Sequence, residues 1–312
     1  MASTEVLRRQ IRSTQDLGSV VRTMKALAAA GVRQYEEAVA ALEQYDRNVT
    51  MALQGAARHI PDEILALDGG YNNDRDAGDC DLGTADPGPG TTDSRRGSCY
   101  GALVIGTDQG MCGSFNDQIS GFAAQRMLPG TRIWAIGERL VGALWTAGLE
   151  PEVVFGAPGA LEGITAAVTD LLERFDDWRR RERVEKLTIY HNRPTGAGGI
   201  EPQAVPFWPV DLSLLDRMRR KPWDGPSLPL VLMPWRDLVA AVVRQYLFIG
   251  VYRSLGQSLA AENASRLATM ERAEQNIDER LAELEAEFNY LRQESITAEL
   301  LDIVSGFEAL TK

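Results

Sequence analysis

Beyond Pro234 the chain runs to Lys312 without another proline, closing on "ITAELLDIVSGFEAL", Ile296 to Leu310. Proline ends helices because it removes a backbone donor and clashes with the preceding turn. An unbroken helix from about Trp235 would reach about 110 Å at 1.5 Å per residue, several times the width of a small domain. Such a helix cannot be wrapped inside one core and needs a partner along part of its length.

The first sixty residues offer that partner. Apolar or small side chains fall at Leu7, Ile11, Leu17, Val21, Met24, Ala28, Gly31 and Tyr35, then at Ala38, Leu42, Tyr45, Val49, Leu53 and Ala56. The steps are mostly three and four, the heptad seam of a coiled coil. A second seam runs through Leu267, Met270, Ile277, Leu281, Leu284, Phe288 and Leu291, with one polar interruption at Glu274. Both stripes are narrow and flanked by charge, so each helix is too polar to be buried all round. Residues 1–60 make the N-terminal coiled-coil helix, about 80 Å long, and residues 235–312 the C-terminal one. Short exits from the region between them place the two antiparallel as a shaft, with the longer helix projecting alone at its end. Periodicity by itself would equally suit a coiled-coil adaptor that spaces two bodies apart.

Between the helices, residues 66–98 are rich in Gly and Asp and poor in bulky apolar side chains, the composition of a flexible surface insert. Residues 99–215 then alternate β-type and helical runs, "GALVI" before "NDQISGFAAQRML", "RIWAIG" before "RLVGALWTAG", and "LEGITAAVTDLLERFDDWRRR" before "EKLTIYHN". That alternation predicts a small, Rossmann-like, mainly parallel sheet domain. "PQAVPFWPVDL" adds a strand that its prolines confine to an edge. The expected class is α/β with a long α-helical coiled coil.

"GTDQGMCGSFN", Gly106 to Asn116, leaves a predicted strand and opens a helix, where phosphate-binding loops sit. Its glycines lack the G-x-G-x-x-G spacing, and no Gly-Lys-Ser/Thr follows to hold a phosphate and magnesium. Cys112 could be a nucleophile at a helix N-terminus, but only His59 and His191 are available as bases. A glycine-rich turn with Asn116 or Ser114 as N-cap requires fewer assumptions. A nucleotide-binding oxidoreductase with a coiled-coil arm is therefore the weaker alternative.

A formal charge of −11 opposes nucleic-acid binding, although Arg8, Arg9, Arg12, Arg22, Lys25 and Arg33 make the N-terminal helix basic. Those cations either pair with Glu271, Glu274, Asp278, Glu279 and Glu283 or form a collar for acidic loops of a partner. Cys80, Cys99 and Cys112 have no metal-type spacing and the N-terminus lacks an apolar signal core, which fits a reducing cytoplasm. The most apolar run, "LVAAVVRQYLFIGVYRSLGQSLAA", is cut by Arg244 and Arg253, so no window of about twenty residues is expected to cross a bilayer.

Three separated stretches carry a resemblance to the γ subunit of F-type ATP synthases. "LRRQIRSTQDLGSVVRTMKALAAA" is similar to that family's N-terminal helix, "GTDQGMCGSFN" to its S-D-R/K-G-L-C-G-x-F-N loop, and "ITAELLDIVSGFEAL" to its I-T-x-E-L-x-E-I-V-x-G ending. Thr107, Gln109 and Gly31 depart from the family pattern, and with the insert they resemble a divergent branch of the alternate-operon, sodium-type kind.

The resemblance implies a central-stalk rotor that couples ion flow through a membrane ring to conformational change in a catalytic ring. It implies no catalytic residue, cofactor or metal on this chain. Its implied partners are the catalytic α and β subunits, the ε subunit and the membrane c-ring, with no nucleic acid and no direct membrane insertion. Its implied location is peripheral, on the cytoplasmic face of a bacterial inner membrane. The family's torque contacts fall on Met24 and Lys25 and on Arg292, Gln293 and Thr297.

Overall fold

The computed structural model describes residues 2–60, 99–182, 184–195, 199–210, 212–223 and 231–310, so the expected insert at 66–98 lies outside the described residues. Helix α1 spans Ala2–Ala57 and helix α6 spans Trp235–Leu310, 56 and 76 residues without a break. Between them come β1 (Cys99–Ile105), α2 (Phe115–Ala124), β2 (Arg132–Ile136), α3 (Glu138–Thr146), β3 (Pro151–Phe155), α4 (Leu161–Glu182), β4 (Val184–Thr195), β5 (Gly199–Trp208) and α5 (Leu212–Arg220).

The two long helices are antiparallel and in register over almost all of α1. Arg8 lies over the Phe288 ring, the Gly18 backbone meets Ile277, Lys25 meets Glu274, Gly31 meets Asn263, Val39 meets Gly256 and Asp46 meets Arg253. Extended to Ala2, the ladder ends near Glu294, so the last stretch of α6, about 25 Å, runs on with no α1 beside it. The seam follows the predicted heptads through Leu7, Val21, Ala28, Tyr35, Val49 and Leu53 on α1, and Met270, Ile277 and Leu284 on α6, all buried. It departs at two places. Leu17 is 54% exposed, and Gly18 takes the inward position instead, because the steps of four and three from Leu7 pass through Ile11 and Thr14 to residue 18. Tyr45 also stands outside, donating a hydrogen bond to Gln245.

The sheet has the order β3-β2-β1-β4-β5, parallel throughout except for β5, which pairs antiparallel with β4 at one edge. The expected proline-bearing edge strand is thus β5, while β3, at the opposite edge, is an additional short strand with no helix-like or alternating signal to announce it. Alternation along the strands divides the core in two. Ala102, Val104, Ile133 and Ala135 face Ile119 and Ala123 of α2 and Leu140 and Leu144 of α3. Leu103, Ile105, Trp134, Ile136 and Ile189 face Val168, Phe175 and Trp178 of α4 and Val251, Leu255 and Leu259 of α6. One face of the domain is therefore covered by the shaft itself.

That division of labour explains the composition of α6. Val239, Val243 and Tyr246 pack with Leu53, Ala57 and Ile60, while Leu247, Val251 and Leu255 join the sheet core, so this segment is apolar on more than one face. As a result α6 does contain an 18-residue window of mean hydropathy 1.3, apolar enough by length and composition to cross a membrane. Arg244 and Arg253 do not lower it as far as the sequence reading expected.

Candidate functional site

The strand order reverses between β1 and β4, with α2 and α3 on one face and α4 on the other. In open α/β sheets, nucleotides bind in the crevice beyond the carboxyl ends of the strands at such a reversal. Here the crevice is filled by the chain's own loop and by the shaft. After β1 the backbone turns through Met111 and Gly113, both left-handed at φ 63° and 59°. The Cys112 carbonyl accepts a 2.6 Å hydrogen bond from the Ser265 hydroxyl of α6, and Cys112 and Phe115 pack on Ala261. The Asn192 amide on β4 donates to the Phe115 carbonyl at 3.1 Å. Loop, sheet and shaft are thus stitched at one place.

Several polar groups that a nucleotide site could use are spent on this stitching. The Asp108 carboxylate accepts from the backbone N–H of Glu138 at 2.7 Å and of Ala157 at 2.8 Å, bracing the loops after β1, β2 and β3 together. Asn116 is not the cap of α2: its Oδ1 accepts from the Thr107 N–H and its Nδ2 donates to the Thr107 hydroxyl. Ser114 holds the N-cap position without a side-chain cap bond. The Cys112 thiol is buried and burial pushes its pKa up, away from the thiolate a nucleophile needs. His191 is buried against Gln257 at 3.0 Å and burial lowers its pKa, while His59 Nδ1 lies 3.0 Å from the Gly55 carbonyl. The hollow left between loop and shaft, beside Gly31, Tyr35, Glu262 and Arg266, has a volume of about 290 Å³, at the bottom of the range for small-molecule sites.

The expected contact residues fall in two groups along the shaft. Met24 packs partly buried on the seam cluster of Val21, Met270 and Ile277. Lys25 does not point away from its partner helix: its ammonium donates to Glu274 at 2.9 Å and lies 3.8 Å from Glu271. The hydrogen bond it donates to Glu274 is the main reason its pKa is raised. The polar interruption in the α6 seam is therefore answered by a lysine on α1, and this part of the collar is turned inward. Arg292, Gln293 and Thr297 are exposed, at and just past the point where α1 ends, and the Thr297 hydroxyl donates back to the Gln293 carbonyl. Beyond them Leu300, Leu301, Ile303 and Val304 are between 54% and 69% exposed, an apolar helix end left largely uncovered by the other described residues. The two groups are separated by some eighteen residues of α6, about 27 Å.

A shaft of two antiparallel helices that carries an α/β domain, closes the domain's own ligand crevice and projects one apolar helix end defines a mechanical rather than a chemical class of protein. The ATP synthase family model matches residues 3–310, and the chain belongs to that family, as the non-catalytic, γ-type subunit of the central stalk. Solved structures share the fold. The rotor of the Euglena gracilis mitochondrial ATP synthase in rotational state 1 is 15% identical, covering 95% of this chain and 99% of that one at a TM-score of 0.63. A second chain, from the OSCP/F1/c-ring assembly of the same enzyme in rotational state 3, is 16% identical, covering 99% and 95% at 0.64. A chain from the central stalk and c-ring of the Tetrahymena thermophila mitochondrial ATP synthase is 15% identical, covering 81% and 99% at 0.51.

Proposed function

We propose that this chain transmits torque between a membrane ring and a ring of catalytic subunits. It does so by presenting a different face of one asymmetric shaft to each of several equivalent neighbours. The observation that carries the reading is the end of α6, where five large apolar residues from Ile296 to Val304 stand exposed on a single helix past the end of α1. A soluble chain rarely leaves so much apolar surface uncovered unless something else covers it. An apolar sleeve formed by the catalytic ring suits it, because it holds the tip without fixing its rotation. A rotor that favours one conformation of each neighbour must bind the conformations unequally, and unequal contact is what couples rotation to nucleotide affinity.

The proposed anatomy follows. The helices at 1–60 and 235–312 make the shaft, 66–98 is a surface insert, and the domain at 99–215 sits at the base. Met24, Lys25, Arg292, Gln293 and Thr297 are the proposed contacts with the α and β subunits. The base faces the ε subunit and the c-ring, with the whole held peripherally on the cytoplasmic face of a bacterial inner membrane. Co-purification of the full chain from its own cells, followed by identification of what is bound, tests the reading. Catalytic-ring and membrane-ring subunits are expected together; capture of neither would remove it.

A further inference from the structure

The hollow of about 290 Å³ between the glycine loop and the shaft takes its walls from α1, α6 and the loops after β1 and β3. Its sides are largely apolar, with Leu27, Ala30, Pro158 and Leu259. Its charged groups are Asp108, Glu262 and Arg266, two acids and one base among the described lining residues.

Two side chains in this hollow are deeply buried and still incompletely bonded. Tyr35 is 8% exposed, and its hydroxyl has no hydrogen-bond partner among the described residues. Glu262 is 6% exposed; one carboxylate oxygen accepts from Arg266, and the other has no partner among the described residues. Buried polar atoms are nearly always paired, so two open acceptors at one hollow point to a donor that comes from outside the fold. The charge there has a sign as well. Burial is the first cause that raises the Tyr35 pKa, and the Glu262 and Glu162 charges raise it further against Arg266. Burial likewise leads in raising Glu262, with Arg266 opposing and the Asp108 charge adding to the rise. Asp108 keeps its charge while accepting from two backbone N–H groups, so it brings no donor of its own.

We propose that this hollow binds an alkylammonium group, whose N–H donors reach the open Glu262 oxygen and the Tyr35 hydroxyl while its carbon stem lies along the apolar sides. The group is carried either by a small free diamine or by a lysine side chain that a partner presents. An anion would face two carboxylates against one guanidinium, and a plain alkyl group would leave both acceptors unpaired. Because the walls come from both long helices and from the domain, an occupied hollow braces the join between domain and shaft. The proposal does not depend on the central-stalk reading.

The test is titration calorimetry of the full chain with diaminobutane, with butanol and butyrate as neutral and anionic controls. Only the diamine is expected to bind. Glu262→Gln, which keeps an acceptor for Arg266, should weaken binding about tenfold, the loss of one charge-assisted hydrogen bond. Tyr35→Phe, which removes the hydroxyl and keeps the ring in the core, should weaken it about fivefold and stays informative if the first variant is not folded. Glu283→Gln, at an exposed acid of the shaft, should leave binding unchanged. No binding of the diamine by the wild type, equal binding of butanol, equal loss in Glu283→Gln, or no loss in Tyr35→Phe would overturn the proposal. Repeating the titration on the assembled complex reads the source: binding kept there marks a free diamine, and binding by the free chain alone marks a partner's lysine already in the hollow. Calorimetry on the free chain and co-purification with the rings are separate readouts, so this proposal and the central-stalk reading fail separately.

Discussion

His191 shows what a single residue does at the join between domain and shaft. It is 1% exposed, its Nε2 meets Gln257 of α6, and its Nδ1 has no hydrogen-bond partner among the described residues. Burial is the main cause that lowers its pKa from 6.5, the Gln257 contact opposes it, and the Arg193 charge adds to the lowering. The folded chain therefore holds this ring neutral where the unfolded chain takes up a proton. Stability is full above about 6.5 and is lost as pH falls from there toward the lowered value, at up to about 1.4 kcal/mol per pH unit. His191→Gln should remove that slope, and denaturant titrations of both proteins across the range should converge at acid pH. Parallel curves would mean that the ring is not held neutral. The sequence contains His191 plainly but gives no sign of its burial, since the helix that covers it, α6, lies some sixty residues further on in the chain. Gly18 was hidden for a related reason. A leucine beside a glycine looks like the seam residue, yet the heptad steps decide which of the two faces Ile277.

At the scale of the element, the shaft is set by how closely its helices approach. A Cβ on Gly256 would stand 2.7 Å from Val39 Cγ2, whereas one on Gly142, in the exposed middle of α3, would meet nothing within 4 Å. Both substitutions to alanine improve helix propensity by about 1 kcal/mol, so packing decides the sign. Gly142→Ala should stabilise by about 0.5–1 kcal/mol. Gly256→Ala should destabilise by about 1 kcal/mol despite its better propensity, because the seam must open around Val39. Thermal unfolding of the two variants compares them directly, and a gain in both would show that the helices can separate at no cost. The long helices, the parallel sheet and the proline-bearing edge strand were all legible, since each follows from a period or a composition within one segment. The role of Glu274 was legible only as an anomaly. Its meaning required knowing that Lys25, far off in the chain, arrives opposite it. β3, five residues at an edge, carries too short a pattern to be seen, and the closing of the glycine loop by Ser265 depends on a register between elements that no local pattern encodes.

For the whole molecule, the arrangement ranks the proposed contacts. Lys25 is already satisfied by two glutamates of its own shaft, while Arg292, exposed at the level where α1 stops, has no ion pair among the described residues. Arg292→Ala should therefore lower the ATP turnover of the assembled complex on the order of tenfold, the factor carried by about 1.4 kcal/mol, and Lys25→Ala much less. Steady-state hydrolysis by complexes checked for assembly separates the two, and wild-type turnover in Arg292→Ala would remove Arg292 from the contact. The central claim is that the chain turns as a shaft and does no chemistry of its own. Its most direct test attaches a bead through a cysteine placed at Trp145, which is 65% exposed on α3, in a complex whose catalytic ring is fixed to a surface. With ATP supplied, the bead is predicted to rotate stepwise in one direction, and to stop when ATP is removed. Sustained ATP hydrolysis with the bead stationary would contradict the account.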